Sequence, residues 1–356
     1  MKEKASASYF PQLDGLRTLA VLMVIVSHWY RGSKMPILYY GGAMGVGLFF
    51  VLSGFLITHI LLSQQELFQS GGSDIKSKIL KTFYIRRTLR IFPIYYLYVI
   101  VLVILGAGQV REVWLWLFTY TYNFQLFLTG IWHSGYIEHL WSLAIEEQYY
   151  LIWPALLLFC PPRYNFHLVI GFILMAIFCK AFLYLSDPVS QYSKFPVSQF
   201  DGFGLGSLLA LFWRKNIRIP LAGLWFILFW GISFLLKWNR FHFHGMSFLG
   251  QVVPFYFAGC AMLVYLTAKG MNGIPGYIFG NPVSRFLGRV SYGLYLYHLF
   301  IPNFSRWLLD TLGIGRFSEG IMWIIYSILT LMITSISWYA IEQPINRLKD
   351  RFSYGK

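Results

Sequence analysis

Apolar residues in this chain gather into runs of about twenty, the length an α-helix needs to cross a hydrocarbon core of roughly 30 Å. Ten such spans are predicted, at 13–31, 41–63, 83–106, 139–160, 164–185, 199–213, 219–237, 247–267, 286–309 and 319–341. The segment 113–128 is apolar but short and holds Asn123 and Gln125, so it reads as a re-entrant or interfacial piece. With the N-terminus inside, the inner connections collect Lys76, Lys78, Lys81, Arg163, Arg214, Lys215, Arg218, Lys269, Arg285 and a basic tail. The outer ones hold far fewer cations, among them Arg31, Lys34, Arg111, Lys194, Lys237, Arg240 and Arg316. Positive charge prefers the cytoplasmic side, and an eleventh span would invert every later loop and spoil that asymmetry. The expected fold class is therefore all-α: a polytopic transmembrane helix bundle of about ten spans, N-in and C-in. Residues 1–356 form a single membrane-embedded domain without visible repeat or linker.

Composition agrees. Of 356 residues, 57% are hydrophobic and only 12% charged, about half the charge of a soluble domain. The net charge of +15 sits in short clusters between apolar runs, which argues for membrane topology and against a nucleic-acid partner. Cys160, Cys179 and Cys260 lack metal-ligand spacing, so neither a metal nor a disulfide framework is expected. Polar sequence separates Lys2 and Lys4 from the first apolar run, unlike a cleavable signal.

Some polar residues sit where lipid would penalise them. Arg17 and His28 lie eleven positions apart in the first run, nearly on one helix face and about 16 Å apart along the axis. Charges inside a bilayer need partners and mark function by default; Asp14, one turn earlier, can pair with Arg17. The second span is glycine-rich and continues through Phe49, Phe50, Ser53 and Gly54, which allows close approach of a backbone or a thin ligand. At the third, Arg86, Arg87 and Arg90 share a helix side, a fork suited to a phosphate-rich ligand or lipid headgroup. Glu146 and Glu147 open the fourth span and could orient or deprotonate an imidazole, with His28 as the candidate. Asp201 and Glu342 read as helix caps, and His298, at three-residue steps from Arg289, Tyr292 and Tyr295, as a satisfied bundle residue.

Taken together, these segments resemble acyltransferase family 3, integral-membrane O-acyltransferases. The matching stretches are Leu13–Arg17 through His28, Gly45–Phe55, Arg86–Pro93, His139–Tyr150, Asp201-Gly202 with Gly206, Gly288–His298 and Glu342–Pro344. They run in order along essentially the whole chain. The resemblance implies a ten-helix domain that moves an acyl group, usually acetyl from cytoplasmic acetyl-CoA, to a hydroxyl. It makes Arg17 and His28 the essential pair, links Arg87 and Arg90 to donor handling, and matches Glu146 and Glu147 to the family's glutamate region. Many members carry an arginine two residues before the aspartate matched by Asp201; this chain has Gln199 there. With so little sequence after the last span, the extracytoplasmic hydrolase-like domain fused to some members is not expected here.

The mechanism expected from this combination uses no permanently bound cofactor. Acetyl-CoA is the donor substrate: Arg86, Arg87 and Arg90 hold its phosphates, and Ser53 and Gly54 line the pantetheine path. His28 acts as general base, or as a transient acyl carrier, with Glu146 or Glu147 fixing its tautomer, and Arg17, neutralised in part by Asp14, stabilises donor charge or the thiolate leaving group. The acceptor expected is a lipid-linked or surface glycan at the bacterial cytoplasmic (inner) membrane, lipopolysaccharide O-antigen or exopolysaccharide first, a macrolide-type or Nod-factor-type molecule second. Membrane lipid is a further partner. The rival reading is a proton-coupled transporter built on the same buried charges, against which no internal repeat is visible.

Overall fold

A computed structural model describes residues 9–30, 36–67, 73–133, 135–187, 191–238, 252–315 and 317–354. The described residues are mostly helical, with no strand among them. Helices occupy the first eight predicted segments: α1 (Pro11–Trp29), α2 (Pro36–Leu67), α3 (Ser73–Leu105), α6 (Leu140–Phe159), α7 (Asn165–Ser186), α8 (Phe200–Arg214), α9 (Ala222–Trp238) and α10 (Phe255–Lys269). Residues 247–251 of the eighth span, and His242 and His244, lie outside the described residues. Among the described residues, four stretches are long and apolar enough to cross a membrane: Gly41–Leu67, Asp74–Leu105, Pro162–Ser186 and Glu319–Arg351. The remaining helices are shorter or carry charge, as α1 does with Asp14 and Arg17.

Segment 113–128 forms two short helices, α4 (Trp114–Phe118) and α5 (Tyr122–Thr129). Tyr120 between them takes a left-handed φ of 52°, which breaks the run. At 1.5 Å per residue, neither piece approaches the bilayer thickness. The predicted ninth span is likewise not one helix. After α11 (Gly273–Gly280) come α12 (Pro282–Arg289), α13 (Ser291–Tyr297) and α14 (Phe300–Thr311). The break after Tyr297 coincides with the His298 imidazole taking the Tyr295 carbonyl, 2.6 Å away. The chain closes with α15 (Glu319–Ser337), a π-turn at Trp338–Glu342 and α16 (Gln343–Arg347).

Two apolar cores result. One joins residues of α1, α2, α6, α7, α8 and α10 around Phe50, Phe55, Tyr149, Trp153 and Phe203. The other joins α1, α3, α5 and α13 around Tyr95, Leu102, Tyr122 and Leu296. Val46, Phe49, Phe92, Trp141 and Tyr292 pack against both and mark the seam. Outward, Ile104, Phe178, Leu185, Ile227 and Ile324 are exposed, an apolar exterior suited to lipid. Gly54 makes the α2–α8 crossing possible: a Cβ there would stand 2.1 Å from the Phe203 carbonyl oxygen, and one on Gly206 would stand 2.1 Å from that of Val51. Small residues at such a crossing let two backbones touch.

Candidate functional site

A narrow cavity of about 80 Å³ lies in the seam between the cores. Helical periodicity explains its walls. On α2 it is lined by Val46, Phe49, Phe50, Ser53 and Leu56, and on α6 by Ser142, Leu143, Glu146, Glu147 and Tyr150; each set recurs at three- and four-residue steps and so shares one face. Arg87 and Arg90 enter from one turn of α3, Arg17 comes from α1, and Ser291, Tyr292 and Tyr295 come from α13. Six of the residues singled out in the sequence, on four separate helices, thus meet in one cavity: Arg17, Ser53, Arg87, Arg90, Glu146 and Glu147.

Their interactions divide the labour. Glu146 Oε1 accepts from both Ser53 Oγ and Tyr150 Oη, and those two hydroxyls stand 2.9 Å apart. The Arg87 guanidinium lies over the Tyr150 ring, 4.7 Å from its centroid. Arg17 Nη1 donates to Asp14 Oδ1 at 2.5 Å, and Tyr9 Oη donates to the other Asp14 oxygen at 2.7 Å. Asp14 therefore backs Arg17 from outside the cavity, as expected from the one-turn spacing. Among the described residues no carboxylate lies within ion-pair distance of Arg87 or Arg90. Two such guanidiniums facing one space form a receptor for an anion.

Two expected donor contacts fall elsewhere. Gly54 faces α8 rather than the cavity. Arg86 points to the C-terminal segment: Nη1 donates to the carbonyls of Lys349 at 2.8 Å and Phe352 at 2.9 Å, and the guanidinium stacks over Tyr354. On a helix Arg86 and Arg87 diverge by about 100°, so only one of them can face the seam.

His28 corrects the expectation most sharply. Its partner is neither glutamate but His298, with His28 Nδ1 3.0 Å from His298 Nε2. His298 is fully buried, and its Nδ1 lies 2.6 Å from the Tyr295 carbonyl oxygen. A carbonyl only accepts, so this Nδ1 carries the proton, and in the neutral ring Nε2 is then an acceptor. The proton between the rings consequently belongs to His28 Nδ1. In the neutral ring His28 Nε2 is then the nitrogen that carries the lone pair, as a general base or a nucleophile requires. Among the described residues neither glutamate hydrogen-bonds to His28; Glu146 accepts from Ser53 and Tyr150 instead. Tyr295 joins the two regions: its ring lines the cavity, its hydroxyl stands 2.5 Å from Ser142 Oγ, and its carbonyl anchors His298. The His139 ring packs edge-on to His298 at 4.9 Å between centroids. Among the described residues, no group of three histidine, cysteine or acidic side chains is placed to hold a metal ion.

Sequence reasoning missed further residues. Asp201 does not cap a helix: it is fully buried and paired with Lys180 of α7 at 2.5 Å. Lys180 thus supplies a cation that the resemblance led one to seek at position 199, where Gln199 instead donates to the Ser193 carbonyl at 2.8 Å. A lone lysine inside the apolar run of α7 was the available signal. Glu342 too is buried, accepting from Ser337 at 3.2 Å.

A helical membrane domain with a charged seam cavity and a tautomer-fixed histidine is suited to proton and group transfer away from water. A family model described as an acyltransferase domain, acyltransferase family 3, matches residues 10–342, and the chain belongs to that family. It is 31% identical to peptidoglycan O-acetyltransferase OatA of Listeria monocytogenes over 96% of this chain and 56% of that protein. It is 28% identical to the Bacillus subtilis protein named "Putative peptidoglycan O-acetyltransferase YrhL", over 95% of this chain and 55% of that one. A Staphylococcus aureus protein named "Putative O-acetyltransferase SACOL0978" is also 28% identical, over 95% of this chain and 58% of its own length. The chain therefore spans somewhat over half the length of these relatives. No solved structure matches it.

Proposed function

We propose that this chain is a membrane O-acetyltransferase that passes an acetyl group from acetyl-CoA to a hydroxyl of a bacterial surface glycan. The observation that carries the reading is the seam cavity itself. It places uncompensated Arg87 and Arg90 on a wall shared with Tyr295, whose carbonyl in turn fixes His298 and, through it, His28. The names of the relatives favour peptidoglycan as the acceptor over the lipopolysaccharide expected from sequence. The distribution of cations supports ten spans with both termini at the cytoplasmic side of the inner membrane.

In the proposed reaction, Arg87 and Arg90 bind phosphate groups of the donor. His28 Nε2 takes the proton of the acceptor hydroxyl as its oxygen attacks the thioester carbonyl. Arg17, in the same cavity as Arg87 and Arg90 and far from His28 along α1, adds positive charge toward the donor. The C–S bond then breaks, CoA leaves as a thiolate, and the imidazolium returns the proton to sulfur. Glu146, held by two hydroxyls, keeps the cavity wall in register beside Arg87.

Steady-state kinetics test the donor end. Arg87→Ala is expected to raise KM for acetyl-CoA about tenfold or more, the worth of one charge-assisted contact to phosphate. Arg86→Ala is expected to change it less than about threefold, because Arg86 holds the tail. Equal effects would count against the cavity as the donor site. At the other end, His298→Phe leaves the His28 Nδ1 proton without its acceptor and frees the ring to change tautomer. A drop in kcat of about ten- to a hundredfold is expected at unchanged donor KM. His298→Gln, whose Oε1 can accept the same proton, recovers part of it; no difference between the two variants would contradict the tautomer argument.

A further inference from the structure

Lys194 lies in the connection between α7 and α8, within the single turn Tyr192–Lys194. It is only 8% exposed, yet among the described residues no carboxylate stands within ion-pair distance of it. Its neighbours are aromatic faces: Nζ is 3.4 Å from the ring centroid of Trp141 and 5.0 Å from that of Trp132. An indole face attracts a cation but supplies no counter-charge, and a buried ammonium without one is poorly compensated. Burial accordingly pushes the Lys194 pKa down to about 7.

The position is built rather than incidental. Asn123 Nδ2 donates to the Lys194 carbonyl at 3.1 Å, and Asn123 Oδ1 accepts from Gln148 Nε2 at 2.9 Å. Gln148 also donates to the Tyr120 carbonyl at 2.8 Å, so the turn is tied to α6 at the residue after Glu147. Trp141 precedes Ser142 of the cavity wall and packs against both cores. Trp132 is 40% exposed and presents an aromatic surface beside the ammonium.

We infer that Lys194, framed by Trp132 and Trp141, is a subsite for an anionic group of the glycan acceptor, a carboxylate or a phosphate, with the Trp132 ring against the sugar. The inference rests on the glycan acyl-transfer reading above and adds the chemistry of its acceptor. The ammonium gains the counter-charge it lacks, and the tie through Asn123 and Gln148 sets the bound sugar in register with the seam.

Equilibrium binding to the purified chain tests this with three probes: a uronic-acid oligosaccharide, its methyl ester and a sugar 1-phosphate. Wild type is expected to bind at least one anionic probe about tenfold more tightly than the ester, and the tighter anion identifies the group recognised. Lys194→Met is expected to erase that preference while leaving ester binding within about twofold; Lys194→Arg keeps it. Equal binding of all probes by wild type, a preference that survives Lys194→Met, or loss of ester binding in that variant would each overturn the inference. Acetyl transfer to the same oligosaccharide is followed separately. Transfer without anion preference removes only the subsite, whereas anion preference without transfer removes the acyl-transfer reading.

Discussion

Alanine in place of His28 is expected to lower kcat for acetyl transfer by about a hundred- to ten-thousandfold, the range for loss of a positioned general base. The donor KM should stay within about threefold, because the guanidiniums that bind it belong to α3. The size of the effect follows from the relay of Tyr295, His298 and His28, which spends both nitrogens of one ring to leave a single basic nitrogen on the other. Water has no comparable base at neutral pH. Kinetics on the purified variant decide the point: a kcat within about threefold of wild type would remove His28 from the chemistry. A normal kcat with a raised donor KM would make it a binding residue.

The second large effect is on stability. Lys180→Met is expected to cost about 3–5 kcal/mol, because it strands the Asp201 carboxylate with its counter-charge removed. The side chains are 4% and 0% exposed, so water cannot replace the lost partner. Phe257, 5.2 Å from Lys180 Nζ, offers only a ring face, and the Gly202 amide is a single donor to Asp201 Oδ1 at 3.0 Å. The double variant Lys180→Met with Asp201→Asn should regain most of the loss, since replacing both members of a buried pair is often nearly neutral. Thermal unfolding in detergent measures both. A single variant as stable as wild type would show that the pair carries no weight, and a double variant no better than the single would place the loss in packing.

The helices were legible because a lipid-facing run must be apolar over its whole length, and that needs no knowledge of neighbours. The breaks in the ninth span were not. Its residues are apolar enough, but the interruption arises where His298 takes a carbonyl of its own helix. The cavity set was legible for a similar reason: Arg17, Arg87, Arg90, Glu146 and Glu147 are costly in an apolar run wherever they point. Which of them meet is a matter of pairing between distant helices. His28 and His298 are 270 residues apart, and periodicity on either helix says nothing of the other. Arg86 and Gly54 show the same gap, since a cation near a span end and a glycine within one are equally good at holding a tail or a crossing.

Lys180 and Lys194 show what a closer reading of charge in apolar context yields. The first lies inside a run and found its acid one helix away; the second lies beside one and found only indole faces. Both were visible as isolated lysines, and only the fold distinguishes a paired cation from one still lacking its anion.

The proposed reaction is transfer of acetyl from acetyl-CoA to a glycan hydroxyl by this chain. Its most direct test is transfer of radiolabelled acetyl by the purified protein to a peptidoglycan-derived oligosaccharide, with no ion gradient present. Alkali-labile label in the glycan and free CoA thiol in equal amount are expected, both lost in His28→Ala. Intact acetyl-CoA and an unlabelled glycan, or thiol release without labelled glycan, would contradict the proposed reaction.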